Sequence, residues 1–458
     1  MKCGVLHKNQ LKRFIMKILL LIVVQVLLIE ISLQAQNNTK VNLSFENKVQ
    51  SWLTENNVSA VGVGLIENGQ IKYVKVFGDL KKGVPAPDNT IFCIASITKT
   101  IVAMLTLKLV EAEQWDLDEP LYHYWIDPDV VNDSLLKKLT TRHVLSHQTG
   151  FPNWRKGKLA FEFEPGTDYQ YSGEGFVYLA KALEQKFNKS LGQLSDSVIF
   201  KPLGMKDTRY GWDENMDESR FAHAHDSKGN IYSWSSPKIG RSGAAGAAGS
   251  LSTTIEDYCK FSVDVINGAG LSTEIYNDMI STHTKIKEHH SKGLGWELIT
   301  DLPNDEYALE HGGNNTGYKT MGIILPKSKR AVIVFTNGVN GITVYNNVIK
   351  ESIDVGGNIL DAIIGPNNHK VIAVSNAVLK KYAGDYLVDF HNHNFTLTKG
   401  DSVLILSGGG MPTTNLYPEA ENKFFIKDAN VQIEFNIDGV LSLIEKGKIA
   451  WTAKKVKN

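Results

Sequence analysis

The run Thr90-Ile91-Phe92-Cys93-Ile94-Ala95-Ser96-Ile97-Thr98-Lys99-Thr100 changes its hydrophobic period in the middle, and no other stretch constrains the fold as much. Ile91 to Ala95 is continuously apolar and reads as an extended segment. From Ile97 the spacing turns helical, with Val102, Leu105, Leu109 and Val110 about one turn apart. Ser96 therefore stands at a strand-to-helix entry, where the first backbone N–H groups have no intrahelical partner. Lys99 follows one turn later on the same face. A serine hydroxyl becomes a nucleophile when a neighbouring base takes its proton, and a partly desolvated lysine is such a base. The positive end of the helix favours the oxyanion formed after attack. A plainer reading makes Ser96 a helix N-cap. The pattern Ser-x-x-Lys recurs at Ser134/Lys137 and Ser235/Lys238, with no apolar run before either, so spacing alone does not decide.

The N-terminus carries a different signal. Lys12, Arg13 and Lys17 precede the apolar run Ile18–Ile29, interrupted only by Gln25, and Leu33-Gln34-Ala35 offers a small residue for cleavage. Residues 1–35 read as a signal peptide, with Met16 an alternative start. The run is short for a membrane span, although an uncleaved anchor stays open. Cys3 lies before the run, so the cysteine expected of a lipoprotein is missing. The expectation is a secreted or periplasmic protein, with no membrane association beyond this segment.

Without residues 1–35 the chain has 44 basic and 48 acidic residues, which gives no reason to expect nucleic-acid binding. Its cysteines are then Cys93 and Cys259, read as buried thiols, with a disulfide left open. At 458 residues, 42% of them hydrophobic, the chain is long enough for more than one domain and a sizeable core.

Phe45–Glu55 reads as an amphipathic helix. Val58–Phe77 reads as two strands around Asn68-Gly69, a type I′ hairpin signal. The Ser96 helix runs to about Glu113. From Trp115 to about Lys238 no strand alternation stands out, and helical pieces fall at Leu135–His147, Gly175–Phe187 and Leu191–Ile199. Gly240–Gly249 allows close backbone approach. Thr253-Thr254-Ile255-Glu256 reads as a capping box opening a helix through Val265. Strands return at Gly293–Ile299, Tyr307–Glu310, Tyr318–Leu325 and Ala331–Thr336, and one helix spans Thr343–Leu360. The expected fold is α+β, an antiparallel sheet flanked by helices, with an inserted mainly helical subdomain. After a linker at 361–376, short alternating segments from Tyr382 to Glu445 predict a small all-β, barrel-like domain. The domain reading is 1–35 signal peptide, 36–365 catalytic domain, and 366–458 linker with β-domain.

Three local patterns stand in order along this frame: Ser96-x-x-Lys99, Tyr171-Ser172-Gly173 and His311-Gly312-Gly313. Together with Thr141–Gly150, Glu164-Pro165-Gly166-Thr167 and Lys201–Met205, they resemble the serine β-lactamase and penicillin-recognising hydrolase superfamily. The likeness is to its branch of class C β-lactamases, D-alanyl-D-alanine peptidases and esterases, over residues 45–360. The resemblance implies Ser96 as acylated nucleophile, Lys99 as base or proton relay, and Tyr171 as partner in general acid–base work. It implies His311, Gly312 and Gly313 as a strand along the substrate, and the backbone N–H groups of Ser96 and Asn314 as oxyanion hole. Relatives carry asparagine where this chain has Gly173, so the amide that binds an acylamino group is missing there. Glu174 and Asn314 are the neighbours considered as stand-ins.

Other candidates read as structural. His143 and His147, His223-x-His225, His289-His290 and His391-x-His393 lack ligands at metal spacing, and no metal or cofactor is expected. Gly408-Gly409-Gly410 reads as a hairpin loop. The expectation is an exported serine hydrolase acting through an acyl-enzyme on a small-molecule or peptide substrate: a D-amino-acid peptide, an ester or a β-lactam. The alternative is a non-catalytic sensor or binding protein of the same fold. The sequence carries no signal for oligomeric state.

Overall fold

The computed structural model describes residues 43–211, 217–235, 246–365, 369–388, 394–408, 411–426, 431–436, 438–445 and 448–456. The expected signal peptide, residues 240–245, Lys238, Pro366–Asn368, His391, His393, Gly409 and Gly410 lie outside them. Residues 43–56 are helical. Among the described residues no helix is long and apolar enough to cross a membrane.

Nine antiparallel strands form the main sheet, in the order β3-β2-β1-β12-β11-β10-β9-β8-β7. β1 (Ala60–Glu67) and β2 (Gln70–Lys81) are joined through Asn68 and Gly69, with φ of 52° and 69°, as a type I′ turn requires. β3 (Val84–Pro85) completes that edge. At the centre, β11 (Tyr318–Leu325) is buried at every position and β12 (Arg330–Thr336) at all but its first. Their unbroken apolar character follows from helices covering both faces: α3 (Ile255–Ile266) packs on β1, β2 and β12, and α4 (Gly341–Ser352) packs on β11 and β12. Gly64 shows how close α3 sits, since a Cβ there would be 2.4 Å from Cys259 Sγ. Cys93 and Cys259 are both buried and free.

The helix after Ser96, α1 (Thr98–Glu111), is buried almost all round and forms the axis of the core. Each of its fully buried aliphatic side chains contributes roughly 1.5–3 kcal/mol of transfer free energy. The subdomain between it and α3 is mainly helical, including α2 (Gly173–Phe187). The helix expected over Leu135–His147 is two pieces, a 3-10 turn Ser134–Lys138 and a helix Thr141–Leu145. Thr140 separates them in an extended conformation and caps the second through the His143 N–H. His147 therefore lies beyond the helix, at φ 58°. A small second sheet, β4 (Phe92–Cys93), β6 (Leu251–Thr253) and β5 (Arg209–Tyr210), ties the Ser96 segment to this subdomain. The cap of α3 is Thr254, one residue later than the expected box, and it accepts from the Asp257 N–H.

Other expectations shift for identifiable reasons. Gly295 has φ 80°, so the strand predicted from Gly293 begins only at Glu297, as β9 (Glu297–Leu302). A hairpin precedes it, β7 (Thr284–Lys287) and β8 (His290–Lys292), which apolar alternation does not reveal. β10 (Glu306–Asn315) extends through the whole His-Gly-Gly motif. Ile353 takes extended angles and divides the last helix into α4 and α5 (Gly356–Ile364).

The tail is a closed barrel of eight strands, from β13 (Gly384–Val388) to β20 (Lys448–Lys455), closed by β13–β20 pairing. Two of its strands, β16 (Met411–Ala420) and β20, are additions to the sequence reading. So is α6 (Asn376–Tyr382), whose Leu379 and Tyr382 join Phe395, Leu404, Phe424 and Phe435 in the barrel core.

Candidate active site

Ser96 lies in a 3-10 turn, Ala95–Ile97, that opens directly into α1. Ala95 has φ 48°, a left-handed conformation costly for a residue with a Cβ. No side-chain cap is made at either helical start, so the Ser96 hydroxyl is not used as an N-cap. It instead accepts a hydrogen bond from Lys99 Nζ at 3.2 Å, and Lys99 Nζ also donates to the Ala248 carbonyl at 2.7 Å. Lys99 is 1% exposed. Burial first, and then the positive charge of Lys292, push its ammonium down to about 7. A lysine in that range accepts a proton near neutrality.

Tyr171 precedes α2. Burial raises its phenol above the usual range, while a hydrogen bond with Ser96 pulls the other way. Lys99 Nζ lies 4.9 Å from its ring centroid. His147 holds the tyrosine in place: the two rings stack at 4.3 Å, the Gln170 N–H donates to the His147 carbonyl, and the Ser172 N–H donates to His147 Nδ1 at 3.0 Å. An imidazole that accepts at Nδ1 is neutral. Burial and the surrounding cations hold it well below its ordinary pKa.

His311 reaches the site from β10. Its Nδ1–H donates to the Gly312 carbonyl at 2.7 Å, and its buried Nε2 has no partner among the described residues. Burial, then Lys292, drive it down to about 3, so it is uncharged. Gly313 faces the nucleophile's own strand: a Cβ there would be 2.0 Å from Thr320 Oγ1 and 2.4 Å from the Ile94 carbonyl oxygen. Gly312 has no such constraint. A residue with a Cβ therefore does not fit at 313 without displacing Thr320 or Ile94. Asn314 accepts a hydrogen bond from Lys319 through Oδ1.

Ser96, Lys99, Tyr171, His311, Gly312, Gly313 and Asn314 all line one cavity of about 530 Å³. Gly173 sits behind its wall. The Gly173 N–H donates to Asn153 Oδ1 at 3.0 Å, and a Cβ on Gly173 would be 2.8 Å from the Trp154 ring. Asn153 and Trp154 themselves line the cavity, so a side-chain amide does reach it, from another loop. Glu174, one considered stand-in, is instead bound to Arg155, with Oε2 accepting from Nη2 at 2.8 Å. Asn314, the other, is engaged with Lys319.

Two further charged groups are at the cavity. Lys319 on β11 is buried, and among the described residues its ammonium donates only to Asn314 Oδ1 and the Asn315 carbonyl. Burial lowers it to about 8. Glu297 and Glu310 also line the cavity. Lys292 Nζ donates to Glu297 Oε1 at 2.7 Å, and His290 Nε2 donates to the other Glu297 oxygen. Burial and the neighbouring Glu297 hold Glu310 well above the carboxylate range. Ligand atoms of His290, Glu297 and Glu310 lie within 4.8 Å of one another. A metal fits poorly, because Lys292 already neutralises Glu297 and His290 Nδ1 has no acceptor for the proton that ligation would place there. The pair Ser134/Lys137 lies on a 3-10 turn away from this cavity, and His223 and His225 donate through Nδ1 to the Ser235 and His223 carbonyls.

The beta-lactamase family profile matches residues 45–349, two thirds of the chain. The chain belongs to the beta-lactamase family. This is a family of serine hydrolases, in the superfamily that includes the penicillin-binding proteins. Penicillin-binding protein 4* of Bacillus subtilis is 24% identical over 409 residues, covering 81% of this chain and 88% of that one. The octameric penicillin-binding protein homologue from Pyrococcus abyssi superposes with TM-score 0.59 at 21% identity, covering 89% of this chain and 99% of its own. D-amino acid amidase from Ochrobactrum anthropi gives TM-score 0.55 at 22% identity, covering 65% and 91%. These two likenesses establish the shared fold.

Proposed function

We propose that this member of the beta-lactamase family hydrolyses amides or esters bearing a free carboxylate, through an acyl-enzyme on Ser96. The observation that carries the reading is the buried, weakly basic Lys99 hydrogen-bonded to Ser96 Oγ. Lys99 takes the hydroxyl proton as Oγ bonds to the substrate carbonyl carbon. The carbonyl electrons move to oxygen, where the backbone N–H groups of Ser96 and Asn314 stabilise them. Collapse of this intermediate breaks the bond to the leaving amine or alcohol, which takes the proton back through Tyr171. Water then repeats the sequence on the ester and frees Ser96.

Lys319 supports the carboxylate. A buried ammonium with no acidic partner among the described residues is costly, and a substrate anion would offset that cost. Two relatives named above, a penicillin-binding protein and a D-amino acid amidase, favour a substrate containing a D-amino acid. Asn153, whose Oδ1 is held by Gly173, has its NH2 group available for a substrate acyl carbonyl. Residues 1–35 support work outside the cytoplasm.

The test compares a peptide ending in D-alanyl-D-alanine with the same peptide carrying a C-terminal amide. Faster cleavage of the free acid is expected. Equal rates would remove the carboxylate from the reading, and no cleavage of either peptide, nor of a simple ester or β-lactam, would leave a binding protein.

A further inference from the structure

β8 is three residues long, fully buried, and two of the three are His290 and Lys292. A buried ion pair contributes little to stability compared with apolar side chains of the same volume. This one is nonetheless elaborate: Lys292 on Glu297 Oε1, His290 on the other oxygen, and a protonated Glu310 beside them. What it faces gives it a use. Lys292 Nζ lies 5.5 Å from the Tyr171 ring centroid, the same ring that Lys99 Nζ approaches to 4.9 Å. At the third motif, His311 presents an imidazole whose Nδ1–H is tied to the Gly312 carbonyl and whose Nε2 has no partner among the described residues. That position brings no charge to the site.

We propose that Lys292 is a positioning residue for acylation: anchored by Glu297 against Tyr171, it supplies the fixed positive charge beside Ser96 and Lys99 that His311 lacks. The inference rests on the hydrolase reading above. A second cation near Lys99 disfavours protonation of Lys99 and so keeps it ready to accept the Ser96 proton. Besides Lys292, the titratable groups around Lys99 among the described residues are Tyr171 before α2, His147 after the Thr141–Leu145 helix, Glu297 on β9, Glu310 and His311 on β10, and Lys319 on β11, whose ammonium is turned to Asn314 and the Asn315 carbonyl. Both imidazoles are neutral, Glu310 is protonated, and Glu297 is bound to Lys292. Lys292, which shares the Tyr171 ring with Lys99, is therefore the cation that sets the balance.

The experiment is the pH profile of kcat/KM for an ester, with the extent of Ser96 acylation by a penicillin or fluorophosphonate probe measured on the same samples. The variants are Lys292→Met/Glu297→Gln, which removes both charges and leaves no orphan carboxylate, and Lys292→Arg. The double variant is expected to label fully but to have its acid limb moved up by roughly one pH unit. Its rate then falls about fivefold at pH 7 and recovers by pH 9. Lys292→Arg should keep the original limb. Full labelling with an unmoved limb, or an equal loss at every pH, would reduce Lys292 to a structural residue. Absence of any adduct on the unmodified protein would instead overturn the hydrolase reading itself. If the double variant does not fold, a Lys292→Arg protein whose acid limb moves up as well contradicts the proposal alone.

Discussion

Lys99 Nζ stands 3.2 Å from Ser96 Oγ and also donates to the Ala248 carbonyl, so the lysine is oriented by backbone and has no carboxylate partner among the described residues. A salt-bridged lysine would keep its proton at neutral pH. This one, pushed down to about 7 by burial and by Lys292, gives its proton up near neutrality.

The first prediction is the sign and place of the acid limb. Lys99 must be unprotonated to act, so kcat/KM should fall as pH drops through about 7. Lys99→Arg keeps a permanent charge and should lower acylation by at least about a hundredfold at every pH. A profile flat from pH 5 to 9 in the unmodified protein would remove Lys99 from the role of base.

Lys319 yields the second. Lys319→Met should lower kcat/KM for a carboxylate-terminated peptide by about tenfold or more, since a charged hydrogen bond is worth roughly 1.5–3 kcal/mol. The matching amide should be cut at nearly unchanged rate. Parallel kinetics on the two substrates give the answer, and an equal loss on both would assign Lys319 to support of Asn314.

Gly173 and Asn153 make a pair for the third. On sequence alone, restoring asparagine at 173 should improve use of an acylamino substrate. The Trp154 ring, 2.8 Å from the site of the new Cβ, reverses that expectation. Gly173→Asn should weaken turnover, and Asn153→Ala should lower kcat/KM for an acylamino substrate about tenfold while sparing an acetate ester. Improved β-lactam turnover by Gly173→Asn would show that Trp154 moves aside.

A fourth prediction concerns the tail. Its eight strands close on their own core, with α6 contributing Leu379 and Tyr382. A chain ending after Gly365 should melt cooperatively and still acylate with a small ester. Loss of either property in calorimetry or probe labelling would make the barrel part of the catalytic unit.

Much of this architecture was readable from local chemistry. The hairpin at Asn68-Gly69 and strands β11 and β12 follow from turn residues and apolar runs. The β7–β8 hairpin was hidden because its buried side chains are His290, Ser291 and Lys292, which look solvent-facing in sequence. His290 and Lys292 are satisfied there by Glu297, which arrives from β9, and Ser291 by Thr282. The same reasoning divides the site. Ser96 and Lys99 are one helical turn apart, and Tyr171 and His311 stand in short patterns. Asn153, Trp154, Glu297, Glu310 and Lys319 reach the cavity through strand register and loop packing, and Lys292 stands behind it against Tyr171. Lys319, for instance, is opposite Asn314 in the β10–β11 ladder, and no local pattern announces that pairing.

The central claim is that Ser96 carries the acyl group, and intact-protein mass after reaction with a penicillin or fluorophosphonate probe tests it most directly. The unmodified protein should gain one adduct, mapped by digestion to the peptide containing Ser96. Ser96→Ala should gain none, while Ser134→Ala and Ser235→Ala should label as the unmodified protein does. An adduct that persists on Ser96→Ala, or maps to another serine, would contradict the account.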